Sequence, residues 1–162
     1  MVMANRVGVT TLSTPSDREV VITRVFAAPR RLVFACWTSC EHLRHWMLGP
    51  PGWTMPICES DLRPEGRYRF VWRKADGAEM EIPGTYKEVS PPERIVMTES
   101  WGAGWPETLN TLVLTEADGR TTATFTILYP SKGARDAALG TGMKEGMDQS
   151  YDRLDTYLGR VA

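Results

Sequence analysis

The 162-residue chain is 42% hydrophobic and 24% charged, and its 19 basic and 20 acidic residues leave a formal net charge of −1. This is the balance of an ordinary globular protein with length enough for one folded core, and no basic stripe offers a surface to nucleic acid. No apolar run approaches the roughly 20 residues that span a bilayer, which excludes membrane insertion, and Cys36, Cys40 and Cys58 are an odd, low count that fits free thiols in a cytoplasmic protein rather than a disulfide framework.

Residues 1–17, rich in Thr, Ser and small side chains, read as a loose N-terminal tail, and residues 18–162 as one domain. Glu19 to Phe26 is β-branched and reads as the first strand. Pro29 suits the first turn of a helix, where a missing N–H costs nothing, and Leu32, Val33, Cys36 and Trp37 give that helix an apolar face. Ser39 can cap a second short helix, with Leu43, Trp46 and Met47 on its apolar side, and Gly49-Pro50-Pro51-Gly52 ends it.

A series of strands follows. Thr54 to Asp61 is one, and Arg67 to Arg73 alternates Tyr68, Phe70 and Trp72 with Arg67, Arg69 and Arg73, the pattern of a sheet with one covered and one wet face. Glu59, Asp61, Arg67 and Arg69 then pair across strands on the wet face. After a turn at Asp76-Gly77, Glu81 to Val89 continues the sheet, and Pro83 and Gly84 suggest a bulge or an edge. Arg94 to Trp101 puts Ile95, Met97, Glu99 and Trp101 on one side. Thr108 to Glu116 and Thr121 to Tyr129 form a hairpin around Asp118-Gly119, with Ala123, Phe125, Ile127 and Tyr129 on its covered face. Leu139, Met143, Met147, Tyr151, Leu154 and Leu158 recur at three- and four-residue steps and predict one long amphipathic helix, with Gly140, Gly142 and Gly146 in its N-terminal half. A one-sided antiparallel sheet must be covered by helix, and the C-terminal element has the length to do it.

In their order and spacing, several stretches resemble one family. They are Arg24 to Pro29, Trp37-Thr38, Glu41-His42-Leu43, Trp46, Gly49 to Gly52, Gly66 to Phe70, Gly84-Thr85-Tyr86, Ser90 to Ile95, Thr98 to Trp101 and Tyr151 to Leu154. The chain resembles the bacterial proteins similar to the activator of the heat-shock-protein-ninety ATPase, a branch of the SRPBCC or START-like superfamily. Cys40 stands where that family often has Pro, and Glu65 where a Gly is usual. The resemblance implies an α+β helix-grip fold: a curved antiparallel sheet of about seven strands wrapped on a long C-terminal helix, with two short helices after strand one closing one end of a cavity. It does not select one function among lipid carriers, polyketide-handling proteins, resistance proteins and chaperone partners.

Cys36, Cys40, His42 and His45 lie close in sequence, but zinc spacings pair ligands across separate elements, so no metal site is expected. No nucleophile–base motif is present, and no catalytic residue or cofactor is assigned. Glu99, the lone acid among Ile95, Met97 and Trp101, suits a cavity base; the simpler reading pairs it with an arginine such as Arg24, or sets it at the cavity mouth. The expected ligand site lies between the sheet and the N-terminal half of the last helix. Strand alternation brings Tyr68, Phe70, Trp72, Met97, Glu99, Trp101 and Phe125 to it, helical spacing brings Met143 and Met147, and Trp46 comes from the second short helix. The reading that follows is non-enzymatic binding of a small hydrophobic molecule, lipid-like, polyketide-like or aromatic. The alternatives are a chaperone-associated or stress-response interaction module and an enzyme acting on a cyclic or polyketide-like substrate. A homodimer is left open.

Overall fold

The computed structural model describes residues 6–102 and 104–161. In chain order these form β1 (Thr11–Ser13), β2 (Glu19–Phe26), α1 (Arg30–Thr38), α2 (Cys40–Leu43), β3 (Trp53–Ser60), β4 (Arg67–Lys74), β5 (Glu79–Ser90), β6 (Arg94–Glu99), β7 (Thr108–Ala117), β8 (Arg120–Leu128), α3 (Lys132–Leu139) and α4 (Met143–Val161). The strands make one antiparallel sheet in the order β1-β2-β8-β7-β6-β5-β4-β3. Because β2 and β3 lie far apart in that order, the chain between them must cross the sheet, and α1 and α2 are that crossing. This is the helix-grip arrangement, with eight strands among the described residues.

The alternation in β4 is realised as drawn: Tyr68, Phe70 and Trp72 are buried, while Arg67 and Arg73 are exposed. On the wet face Arg69 reaches Glu59 and Glu81, and Arg73 reaches Glu79. Asp61 instead pairs with its near neighbour Arg63, because its place beyond β3 is in the turn. Asp118 and Gly119 both have positive φ, 54° and 74°, the two-residue turn whose twist matches a right-handed hairpin. At Pro83, β5 pairs only with β4; its pairing with β6 begins at Tyr86, so the missing N–H sits at a local edge. Gly84 has a separate reason. A Cβ there would lie 2.1 Å from the Tyr68 ring, which lies across it.

Other expectations are corrected. Residues 6–17 are not a free tail: Thr11, Leu12 and Ser13 pair with Thr23, Ile22 and Val21, and Val7 bridges to Val25. Residues 1–5 of the expected tail lie outside the described residues. The C-terminal helical pattern is broken in two. Gly140 caps α3 and Gly142 takes φ 77°, a left-handed conformation open to glycine, so these two glycines end a helix rather than weaken one. Cys40 and Cys58 form a disulfide, leaving Cys36 as a buried free thiol. A cysteine count speaks to compartment, whereas here folding sets the start of α2 against β3 across 18 residues of chain. Ser39 does occupy the N-cap of α2, but its side chain makes no capping bond. No helix among the described residues is long and apolar enough to cross a membrane.

The core lies between the covered face of the sheet and α4. Tyr151, Leu154, Tyr157 and Leu158 of α4 are buried, and Tyr151 packs against Phe26, Trp37 and Trp46. Arg24, 2% exposed, anchors the helix to β2 through Asp152 and Asp155. The arginine therefore belongs to the sheet–helix junction and not to Glu99.

Candidate ligand-binding cavity

The core does not fill the space it encloses. Between the sheet, the segment that follows α2 and the first turns of α4 lies a cavity of about 480 Å³. All ten residues expected from the sequence line it: Tyr68, Phe70 and Trp72 from β4, Met97 and Glu99 from β6, Phe125 from β8, Met143 and Met147 from α4, with Trp46 and Trp101. Two of them arrive from outside regular structure. Trp46 follows α2 and is held by its indole N–H donating to the Cys36 carbonyl at 2.9 Å. Trp101 lies beyond the end of β6, 44% exposed, and stacks on Trp72 with ring planes 7° apart.

Hydrogen bonds fix the walls. The Trp72 indole donates to the Met47 carbonyl at 2.7 Å, which ties the loop after α2 to β4. The Gly49 N–H donates to Ser150 Oγ at 2.9 Å and ties the same loop to α4. Tyr68 Oη donates to the Thr98 carbonyl, and Tyr86 Oη meets Ser60 Oγ at 2.7 Å. Trp105 and Pro106 complete the mouth beside Trp101. Sequence reading missed them because their loop has no period; the signal was only two further large apolar residues between strands.

Glu99 is the one charged side chain among the described lining residues. Its Oε2 accepts from Asn110 Nδ2 at 2.7 Å, and Asn110 Oδ1 in turn accepts from Thr108 Oγ1 at 2.8 Å. Asn110 is fully buried on β7, directly opposite Met97, and its role was not legible beforehand. Among the described residues no Lys, Arg or His forms an ion pair with Glu99, so the expected arginine partner is replaced by an amide. Burial pushes the carboxyl up from 4.5 to about 7, against the opposing pull of donors on Trp101 and Asn110. The same burial, with the Glu99 charge nearby, raises the Tyr129 hydroxyl to about 12 and holds that of Tyr68 above its ordinary range.

The Cys36–His45 cluster is used elsewhere. His42 Nδ1 meets Tyr157 Oη at 2.6 Å, and His45 stacks on the Tyr157 ring. Cys40 is in the disulfide.

The family described as Activator of Hsp90 ATPase homolog 1-like protein matches residues 27–159. Solved structures share the fold. A protein from Rhodobacter sphaeroides is 28% identical with a TM-score of 0.89, over 93% of this chain and 98% of that one. Ms6760 from Mycobacterium smegmatis is 25% identical with a TM-score of 0.81, over 92% and 96%. CalU16 from Micromonospora echinospora is 17% identical with a TM-score of 0.60, over 93% and 83%, a likeness of fold alone. No curated protein matches the chain.

Proposed function

The chain belongs to the Activator of Hsp90 ATPase homolog 1-like family of the SRPBCC superfamily, and on that footing we propose that it binds a small hydrophobic molecule in its internal cavity without transforming it. The observation that carries this reading is the cavity itself: about 480 Å³, walled by tryptophans, tyrosines, phenylalanines and methionines, with a single charged group among the described lining residues. That is the size and chemistry of small-molecule sites, apolar walls with few polar groups to orient the guest. A void of this kind forfeits packing contacts, and a guest restores them. The neutral fluorophore N-phenyl-1-naphthylamine tests it. Saturable binding and a raised melting temperature are expected, about 2.7 kcal/mol of added stability at a hundredfold excess over Kd. Absence of both would end the carrier reading.

One observation favours a second reading. A carboxyl in an apolar cavity that titrates near neutrality suits proton transfer, which would make the protein an enzyme on a cyclic or polyketide-like substrate. An activity lost in Glu99→Gln with ligand binding retained would establish it. An interaction module draws less support. Among the described residues the exposed large apolar side chains are Val7 and Val9 near β1, Leu62, Leu109 and Val161, while Trp101 and Trp105 belong to the cavity mouth.

A further inference from the structure

Glu99 poses an electrostatic problem within the proposed carrier. Its carboxyl faces an apolar cavity, and none of the described lining residues is a Lys, Arg or His. The groups recorded against it are Tyr68 of β4, Trp101 beyond β6, Thr108 and Asn110 of β7 and Tyr129 just after β8, with Glu107 near the Tyr68 hydroxyl, while Tyr86 and Tyr151 line the same cavity. None of these can supply a positive charge. Yet the hydrogen bonding is arranged for the anion. Thr108 Oγ1 donates to Asn110 Oδ1, which fixes the amide so that its N–H donates to Glu99 Oε2. Trp101 also favours the charged form. The protein thus presents donors to a carboxylate and withholds its counter-ion. A buried charge is tolerated when it is paired, and the partner absent among the described residues is one that a guest can bring.

The rest of the wall points the same way. The π faces of aromatic rings carry partial negative charge and attract organic cations, most strongly when water is excluded. Tyr68 and Trp101 stand at the acid, and Phe70 and Trp72 continue the same wall: Tyr68 and Phe70 have centroids 5.0 Å apart, and Trp72 stacks on Trp101. From this arrangement we infer that the guest is an amphiphilic organic cation, an amine or quaternary ammonium on an apolar body, with its nitrogen at Glu99 among these rings and its body toward Met143 and Met147. The inference rests on the carrier reading and narrows it to one ligand class.

The test uses two probes of one shape: a naphthylmethyl trimethylammonium ion and its uncharged carbon isostere, in which a quaternary carbon replaces the nitrogen. Calorimetry with the full chain reads both. The wild type is expected to prefer the cation by about tenfold or more, and Glu99→Gln to bring the two within about twofold. The ammonium does not titrate, so its pH profile reports the protein. Affinity in the wild type should rise about tenfold from about pH 6 to about pH 8, the ratio of ionised fractions for an acid near 7. It should be flat in Glu99→Gln, and the wild-type profile holds the test even if that variant folds poorly. Equal or tighter binding of the neutral probe would overturn the ligand class and leave the carrier standing. Affinity that falls as pH rises would overturn it too, since a protonated Glu99 would then be donating to an acceptor on the guest. If neither probe binds, the carrier reading fails and this inference goes with it.

Discussion

Gly146→Phe separates a cavity from a packed core, because the two give opposite signs. Gly146 lies in α4 and lines the cavity, and a Cβ placed on it would meet only Pro50 Cδ, at 3.9 Å, an ordinary contact. A phenylalanine there has internal space to enter. Fully burying its ~150–200 Å² of apolar surface is worth at most about 5 kcal/mol at roughly 25 cal/mol per Å². Imperfect fit and about 0.5–1 kcal/mol of lost side-chain freedom reduce this, and cavity-filling changes in practice return about 0.5–2 kcal/mol. Removing a glycine from a helix adds about 0.5 kcal/mol. The ligand-free variant should therefore be more stable than the wild type by about 1–2 kcal/mol, read by urea unfolding monitored by tryptophan fluorescence. The stabilisation by N-phenyl-1-naphthylamine should shrink or vanish. A variant destabilised by more than about 1 kcal/mol, or one that keeps the full ligand effect, would show that no usable volume adjoins Gly146.

Further outcomes follow from other parts of the molecule. Leu154 is fully buried against the sheet, so Leu154→Ala should cost about 2–5 kcal/mol in equilibrium unfolding; a cost under about 0.5 kcal/mol would mean a surface position. Gly84→Ala should cost about 1–3 kcal/mol and weaken probe binding, because the new methyl must displace the Tyr68 ring into the cavity; an unchanged midpoint would mean that the ring does not lie across Gly84. The Glu99 carboxyl, raised from 4.5 to about 7, keeps a proton in the folded state that the unfolded chain has released. Stability should therefore fall as pH rises from the unfolded value through about 7 and be level above it, by up to about 3 kcal/mol in all. Glu99→Gln should abolish that decline and be the more stable protein at about pH 8, and a wild-type profile flat across this window would place the carboxyl in water.

Where local pattern decides structure, the sequence was readable. The strict alternation of Arg67 to Arg73 specified which face of β4 is covered, and Asp118-Gly119 specified the turn between β7 and β8. The same periodicity brought Met97, Glu99 and Phe125 to one surface and Met143 and Met147 to the surface facing them, so the cavity lining could be assembled residue by residue. What escaped was decided by partners remote in the chain. Arg24 takes its carboxylates from Asp152 and Asp155, more than 120 residues on. Asn110 looks like one polar residue in a strand until its amide is seen against Glu99. Glycine was ambiguous for a physical reason: Gly140 and Gly142 stop a helix, Gly146 leaves space beside one, and Gly84 admits a ring, yet hydrophobic period treats all four alike. Glu65 takes φ 66°, a left-handed conformation that disfavours side chains, which accounts for the glycine usual at that place in the resemblance.

Native mass spectrometry of freshly purified protein bears on ligand carriage without any added probe, because a guest held in an apolar cavity survives gentle transfer and is weighed with its host. A discrete added mass is expected on the 18.2 kDa chain, lost on denaturation, displaced by excess naphthylmethyl trimethylammonium, and reduced in Gly146→Phe. A bare chain at every gentle setting, including after incubation with an excess of the neutral and cationic probes, would contradict it.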